Sequence, residues 1–273
     1  MARSTFGNIS LAEHLLIPNN GRNLAYVHTD STQSSTGVMF CGGFKSNMQG
    51  QKALTLEAFC KAGDTSFTRF DYNGHGDSEG DFTEGDIGSW LDDALCIFDN
   101  IASRASEKVI VVGSSMGAWI ATLLATQRGA KVAGLLTIAA APDFTEKLLL
   151  PALNKEQRNA LDNGKTIALP SDYDDGSDYP ISSHLIQHSR DHCVLNSAID
   201  IKVPVRLLHG TCDEDVPYTL SIELMEAIQS EDVMLTLIKG ADHRLSSNEN
   251  LQTTLGTLQS MLDNVNGNSQ PDA

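Results

Sequence analysis

One stretch of the sequence limits the fold more than any other. Lys108-Val109-Ile110-Val111-Val112 is almost pure Val and Ile, the composition of a parallel strand covered on both faces. It runs directly into Gly113-Ser114-Ser115-Met116-Gly117, and an apolar segment of helical character continues to about Gln127. Strand, Gly-x-Ser-x-Gly and helix in immediate succession form the context of a sharp strand-to-helix turn with a serine at its apex. The glycines make room for that turn, since bulky neighbours on either side of the serine would clash. The serine hydroxyl is then exposed at the strand's C-terminal end, beside helix amides that favour negative charge. Ser114 competes by adjacency, but only Ser115 has glycines two residues away on both sides.

The remaining segments suit a sheet built around that strand. His14 to Pro18 and Leu24 to Thr29 flank Asn19-Asn20-Gly21 and read as a hairpin. Gly37 to Cys41 is a short buried strand, and Thr65 to Tyr72, Val132 to Ile138, Val203 to His209 and Val233 to Ile238 are further strands. Helical spacing of apolar residues appears over 53–61, 88–101, 220–228 and 251–262. Such alternation predicts a mostly parallel sheet with right-handed crossovers and helices on both faces.

One segment breaks the rhythm. From Asp143 to about Asn196 no clear strand is apparent, only helical patches at Leu148–Leu161 and Ser183–Arg190 around an acidic, turn-rich piece, Ser171–Asp178. This is too long for a plain connection, so residues 143–196 are expected to form an inserted helical cap. Residues 1–142 and 197–273 then make one core domain, a size that 273 residues allow.

Charge and cysteines narrow the function classes. Lys and Arg number 19 against 35 Asp and Glu, a net charge of −16, which repels phosphate backbones and argues against nucleic acid as a partner. Five widely spaced cysteines without a Cys-x-x-Cys pair suit reduced thiols. No apolar stretch approaches the ~20 residues needed to span a bilayer. Met1 to Ser10 has no apolar core for a signal peptide and only Arg3 for a transit peptide, so a cytoplasmic location is expected.

A serine hydroxyl is a weak nucleophile and needs a base held by a third group. Where the serine sits on such an elbow, the partners follow in the order Ser, acid, His. Asp242-His243 lies between the last strand and the last helix, which makes His243 the candidate base. Asp213 follows the strand Val203 to His209 and is the favoured acid, with Glu214, Asp215 and Asp143 as rivals. The oxyanion donors should be the amides of Met116 and Phe44, the latter in the glycine-rich loop Gly42-Gly43-Phe44. Leu149 and Leu153, in a leucine-rich patch just past the strand ending at Ala141, are candidates for an acyl pocket or for packing between cap and core.

Taken together, Cys41 to Phe44, Phe70-Asp71-Tyr72-Asn73-Gly74-His75-Gly76-Asp77-Ser78, Gly113 to Gly117, His209 to Pro217 and Asp242-His243-Arg244 resemble the α/β-hydrolase superfamily. More closely they resemble the branch containing the mitochondrial palmitoyl-protein thioesterase that also cleaves mycophenolic acid acyl-glucuronide. The resemblance runs from about Gly21 to Leu262 and implies the α/β-hydrolase fold, Ser115, Asp213 and His243 as triad, and Phe44 and Met116 as oxyanion donors. The expected activity is hydrolysis of a small-molecule ester or thioester through an acyl-enzyme, with no cofactor and no metal. An acyltransferase or peptidase on the same triad, or a non-catalytic binding protein, are the alternatives.

Other signals are weaker. Gly74-His75-Gly76 has Glu79 where a dinucleotide fingerprint needs glycine. Asn163-Gly164-Lys165-Thr166 lacks the preceding strand of a phosphate loop. His184, His188 and His192 share a helical face, which reads as packing rather than a metal site. Asp172, Asp174, Asp175 and Asp178 read as a solvated loop, since Gly176 is misplaced for a calcium loop.

Overall fold

The computed structural model describes residues 15–170 and 178–267. The chain opens with a hairpin, β1 (Leu15–Asn19) and β2 (Arg22–Thr29), joined by Asn20 and Gly21 at φ of 49° and 79°. A tight hairpin turn that follows the strand twist needs those left-handed angles, and Asn and Gly adopt them most readily. Then come β3 (Thr36–Cys41), α1 (Gln51–Ala62), β4 (Ser66–Phe70), α2 (Ile87–Ile97), β5 (Lys108–Ser114), α3 (Met116–Gln127) and β6 (Val132–Ile138). After α4 (Lys155–Asp162), β7 (Thr166–Leu169), β8 (Tyr179–Ser182) and α5 (Ser183–Ser189), the chain returns through β9 (Val205–Gly210), α6 (Thr219–Ala227), β10 (Val233–Ile238) and α7 (Asn248–Gly267).

Eight strands form one sheet in the order β1-β2-β4-β3-β5-β6-β9-β10. Pairing is antiparallel from β1 to β4 and parallel from β4 to β10. This is the α/β-hydrolase fold with a mostly parallel sheet. On β5 side chains alternate between two cores, as the period of two along a strand requires. Val109 and Val111 join one cluster with Trp90 and Leu91 of α2 and Trp119 and Leu124 of α3. Ile110 and Val112 join the other with Leu56 and Cys60 of α1 and Leu258 and Met261 of α7. Each such buried side chain contributes about 1.5–3 kcal/mol of transfer free energy. That burial on both faces explains why β5 reads as continuous Val and Ile.

The parallel strands all end at one edge, and backbone strain collects there. Lys45 after β3, Ser115 after β5, Ala139 and Asp143 after β6, and Leu245 after β10 all have positive φ. Non-glycine residues hold such angles only where the surroundings impose them.

The segment between β6 and β9 departs from expectation in one respect. It contains a two-stranded antiparallel sheet, β7 with β8, where no strand was apparent. Four-residue strands, one carrying Pro180, are too short to display a period of two. Asp143 ties this segment together: its carboxylate accepts the N–H groups of Val194 and Leu195 at 2.8 and 2.9 Å. Residues 171–177, and with them Asp172, Asp174 and Asp175, lie outside the described residues, as do Met1 to Ser10. Among the described residues, no helix is long and apolar enough to cross a membrane.

Candidate active site

The site begins with Ser115, the residue between β5 and α3. Its backbone sits at φ 55°, ψ −122°, neither strand nor helix. The flanking glycines have a steric cause. A Cβ at Gly113 would overlap the Gly117 carbonyl and Ala118, and one at Gly117 would overlap the carbonyl oxygens of Cys41 and Gly42. The start of α3 thus presses against the end of β3. A Cβ on Gly43 would lie 3.4 Å from that of Ser115, so the loop carrying Phe44 runs alongside the elbow.

Two loops complete a hydrogen-bond chain. His243 Nε2 lies 3.0 Å from Ser115 Oγ, and His243 Nδ1 lies 2.7 Å from Asp213 Oδ2. A carboxylate only accepts, so Nδ1 carries the proton and Nε2 accepts from the serine hydroxyl. Asp213 takes four donors in all. Its Oδ1 accepts the N–H groups of Asp215 and Val216, and its Oδ2 accepts Nε2–H of His209 at 3.0 Å as well as His243. Burial raises the Asp213 carboxyl, but hydrogen bonds from His209, His243 and the Val216 amide, with electrostatic attraction to the His243 ring, outweigh it. The net result holds the carboxyl well below the usual carboxylate range.

The rival acids are placed differently. Asp215 is exposed and contributes its amide to Asp213. Asp143 is occupied by Val194 and Leu195, and burial pushes its carboxyl up. Asp213, Asp215 and His243 offer ligand atoms within 4.8 Å of one another, the spacing a metal ion would need. Two of those three already belong to the hydrogen-bond chain to Ser115.

The sequence pattern assigns no individual role to His209 or His75. His209 is fully buried; its Nδ1 accepts from Ser221 Oγ at 2.7 Å, which leaves the Nε2 proton to be shared between Asp213 Oδ2 and the Val216 carbonyl at 2.9 Å. His75 is 3% exposed, with its ring centroid 4.9 Å from that of Phe82 and 5.2 Å from that of Trp90. Its Nδ1–H donates to the Asn73 carbonyl and its Nε2 accepts the Lys45 N–H at 3.3 Å. Burial pushes its pKa down to about 4, so the ring stays neutral and braces the loop carrying Phe44. The Phe44 ring is itself enclosed by Phe82, Trp90, Phe144 and Tyr179 at 4.9–5.9 Å. The one sequence signal for this was the glycine-rich turn around His75.

Two cavities meet at Ser115, His243 and Phe44. One, about 230 Å³, is largely apolar, lined by Met116, Phe144, Leu148, Leu149, Leu169 and Ile181 among others. Leu149 is therefore at a cavity wall. Leu153 is 5% exposed and packed into the core instead, because the chain leaves its helical turn there at ψ 138°. The second cavity, about 120 Å³, has both polar and apolar walls, with Lys52 and Arg244 among its lining residues. His184 of the histidine stripe bonds Asp86 at 2.7 Å and its ring centroid lies 4.1 Å from that of His188, but both side chains are exposed, so the stripe is not the packing face expected of it.

Comparison with known proteins agrees with this architecture. Residues 33–191 match the family model described as serine aminopeptidase, S33. The mitochondrial palmitoyl-protein thioesterase ABHD10 of Bos taurus is 36% identical over 245 residues, covering 89% of this chain and 78% of that protein. The human counterpart is 34% identical with the same coverage. The solved structure of alpha/beta hydrolase domain-containing protein 10 from mouse superposes with a TM-score of 0.84 at 35% identity, covering 93% of this chain and all of that one. A protein from Agrobacterium vitis S4 gives 0.86 at 33% identity, over 92% and 98%.

One expectation is overturned. Relatives from cattle, rat and mouse are named mitochondrial, against the cytoplasmic location read from the sequence. Free cysteines separate reducing from oxidising compartments but do not distinguish one reducing compartment from another. By fold, family match and relatives alike, the chain belongs to the α/β-hydrolase superfamily, as a serine hydrolase related to palmitoyl-protein thioesterases.

Proposed function

We propose that the protein cleaves carboxylic esters or thioesters through an acyl-enzyme on Ser115, with His243 as base and Asp213 as its orienting acid. The observation that carries this reading is the unbroken hydrogen-bond chain from Ser115 Oγ through both nitrogens of His243 to a charged, buried Asp213. Ser115 Oγ attacks the acyl carbon while His243 Nε2 takes its proton. The negative charge developing on the carbonyl oxygen is met by the amides of Phe44 and Met116, the second at the start of α3. His243 then protonates the departing oxygen or sulfur. Water, deprotonated by the same nitrogen, releases the acid. Asp213 keeps Nδ1 protonated and stabilises the imidazolium of each step.

The apolar cavity suits an acyl chain, with Leu148 and Leu149 at its wall. Each methylene that enters it gains up to ~0.8 kcal/mol, up to about 4-fold in kcat/KM per carbon until the space is full. The test is a fluorophosphonate probe together with p-nitrophenyl esters and matched thioesters from acetyl to decanoyl. One adduct on the peptide bearing Ser115, absent from Ser115→Ala, and a rise with chain length that Leu149→Ala flattens are the expected results. Labelling of Ser115→Ala at the wild-type rate would sink the assignment. Faster cleavage of dipeptide amides than of any ester would favour a peptidase.

A further inference from the structure

The hydrogen-bond chain from Ser115 does not end at Asp213. Main-chain contacts join the two loops that carry Asp213 and His243. The Cys212 N–H donates to the Ala241 carbonyl at 3.0 Å, and a Cβ on Gly210 would overlap that same carbonyl. On the other side, the Lys52 ammonium donates to the Arg244 carbonyl at 2.6 Å and ties the loop bearing His243 to α1. These contacts fix backbones, and none of them sets the direction of the Asp213 side chain. That direction depends on the groups around its carboxylate. Oδ1 is held by the amides of Asp215 and Val216, both in its own loop. Oδ2, the oxygen that faces His243, has one other donor among the described residues, His209 Nε2 at 3.0 Å. His209 sits at the end of β9 and Ser221 on α6, both with no exposed surface, and Ser221 Oγ lies 2.7 Å from His209 Nδ1. A carboxylate and the Val216 carbonyl only accept, so the proton is on Nε2 and the serine holds the ring from behind.

Resting on the acyl-enzyme reading above, we infer that His209 is a positioning residue for the reaction: anchored by Ser221, it holds the Asp213 carboxylate toward His243 and thereby the imidazole toward Ser115. Two rings share one carboxylate oxygen, and only one of them moves protons. His243 cycles between imidazole and imidazolium at each step, whereas no bond of His209 is made or broken. A second donor on Oδ2 keeps that oxygen in place while the first changes charge. Burial pushes the Asp213 carboxyl up, and the bond from His209 is the largest of the effects that pull it down, ahead of the bond from His243. His209 touches neither the apolar cavity nor the second one, so it leaves substrate binding alone. The His243 imidazole serves acylation and deacylation alike. When its orientation is lost both steps slow together, so the effect falls on kcat with KM unchanged.

The test compares two amides at position 209 on p-nitrophenyl octanoate. The amide of His209→Gln reaches about as far as Nε2, toward Asp213, whereas that of His209→Asn reaches only as far as Nδ1, toward Ser221. Expected for His209→Asn is a kcat about 10- to 100-fold below wild type at unchanged KM, the loss that a hydrogen bond to a charged group implies. His209→Gln should recover most of that loss, and Ser221→Ala, which keeps the ring but frees it to turn, should fall between the two. In an Asp213→Asn background, His209→Asn should lower kcat little further, since it acts through the carboxylate. Urea unfolding checks that the variants fold; should His209→Asn not fold, Ser221→Ala and His209→Gln carry the comparison. A purely structural histidine would leave Gln as impaired as Asn, and that result, or wild-type kcat in all three variants, would overturn the role of His209. Wild-type kcat in Asp213→Asn alone would instead overturn the acyl-enzyme reading with Asp213 as its acid.

Discussion

Protonating His75 should weaken the fold, and the size of the effect follows from its surroundings. The ring is packed against Tyr72, Phe82 and Trp90, and burial lowers its pKa from 6.5 to about 4. The unfolded chain therefore binds a proton that the folded chain excludes, so this contribution is fully present above the unfolded value and is lost as pH falls through about 4. The full shift corresponds to about 3 kcal/mol. Between about pH 7.5 and 5.5 the same two values give a loss of about 1 kcal/mol. The protonated ring also cannot accept the Lys45 N–H, so the loop carrying Phe44 loses its brace. His75→Gln retains an acceptor oxygen but does not titrate. Urea unfolding of both proteins at the two pH values isolates the term, since every other group is common to both. The wild type should lose about 1 kcal/mol more than His75→Gln over this interval. Parallel losses would refute the argument.

Three further outcomes are expected. Asp213→Asn should cut kcat by about 10⁴ with an unchanged circular dichroism spectrum, because an amide favours the wrong His243 tautomer. Gly117→Ala should lower the midpoint of urea unfolding sharply or prevent folding, since its Cβ would overlap the Cys41 and Gly42 backbone, which cannot move without displacing β3. Thr137→Val should leave stability unchanged or raise it by about 1 kcal/mol, because the Thr137 hydroxyl is buried on β6 with no hydrogen-bond partner among the described residues.

The chain's own residues determined the elements that local physics governs. The continuous Val and Ile of β5, the glycines around Ser115 and the apolar helix after it are consequences of burial and close backbone approach, and both leave their mark on neighbouring residues. Helix α3, β6 and β10 accordingly have the bounds that their patterns predict. Chain order placed Asp213 and His243 in the loops after β9 and β10, because a parallel sheet carries the ends of its strands to one edge.

What the pattern could not decide were the contacts between segments distant in the chain. Asp213 and Asp143 are both acids that follow a strand, and only the packed fold directs one toward His243 and the other toward Val194 and Leu195. The hairpin β7–β8 is too short for periodicity, and Leu153 in the core cannot be told from Leu149 at a cavity wall when both are leucines in one apolar patch. His209, His75 and Lys52 looked like unremarkable residues near strand or helix ends. Their roles arise when segments separated by up to 192 residues, as Lys52 and Arg244 are, are brought within hydrogen-bond distance. Sequence patterns record which face of an element is buried, whereas the direction of a polar side chain depends on partners that only the tertiary structure supplies.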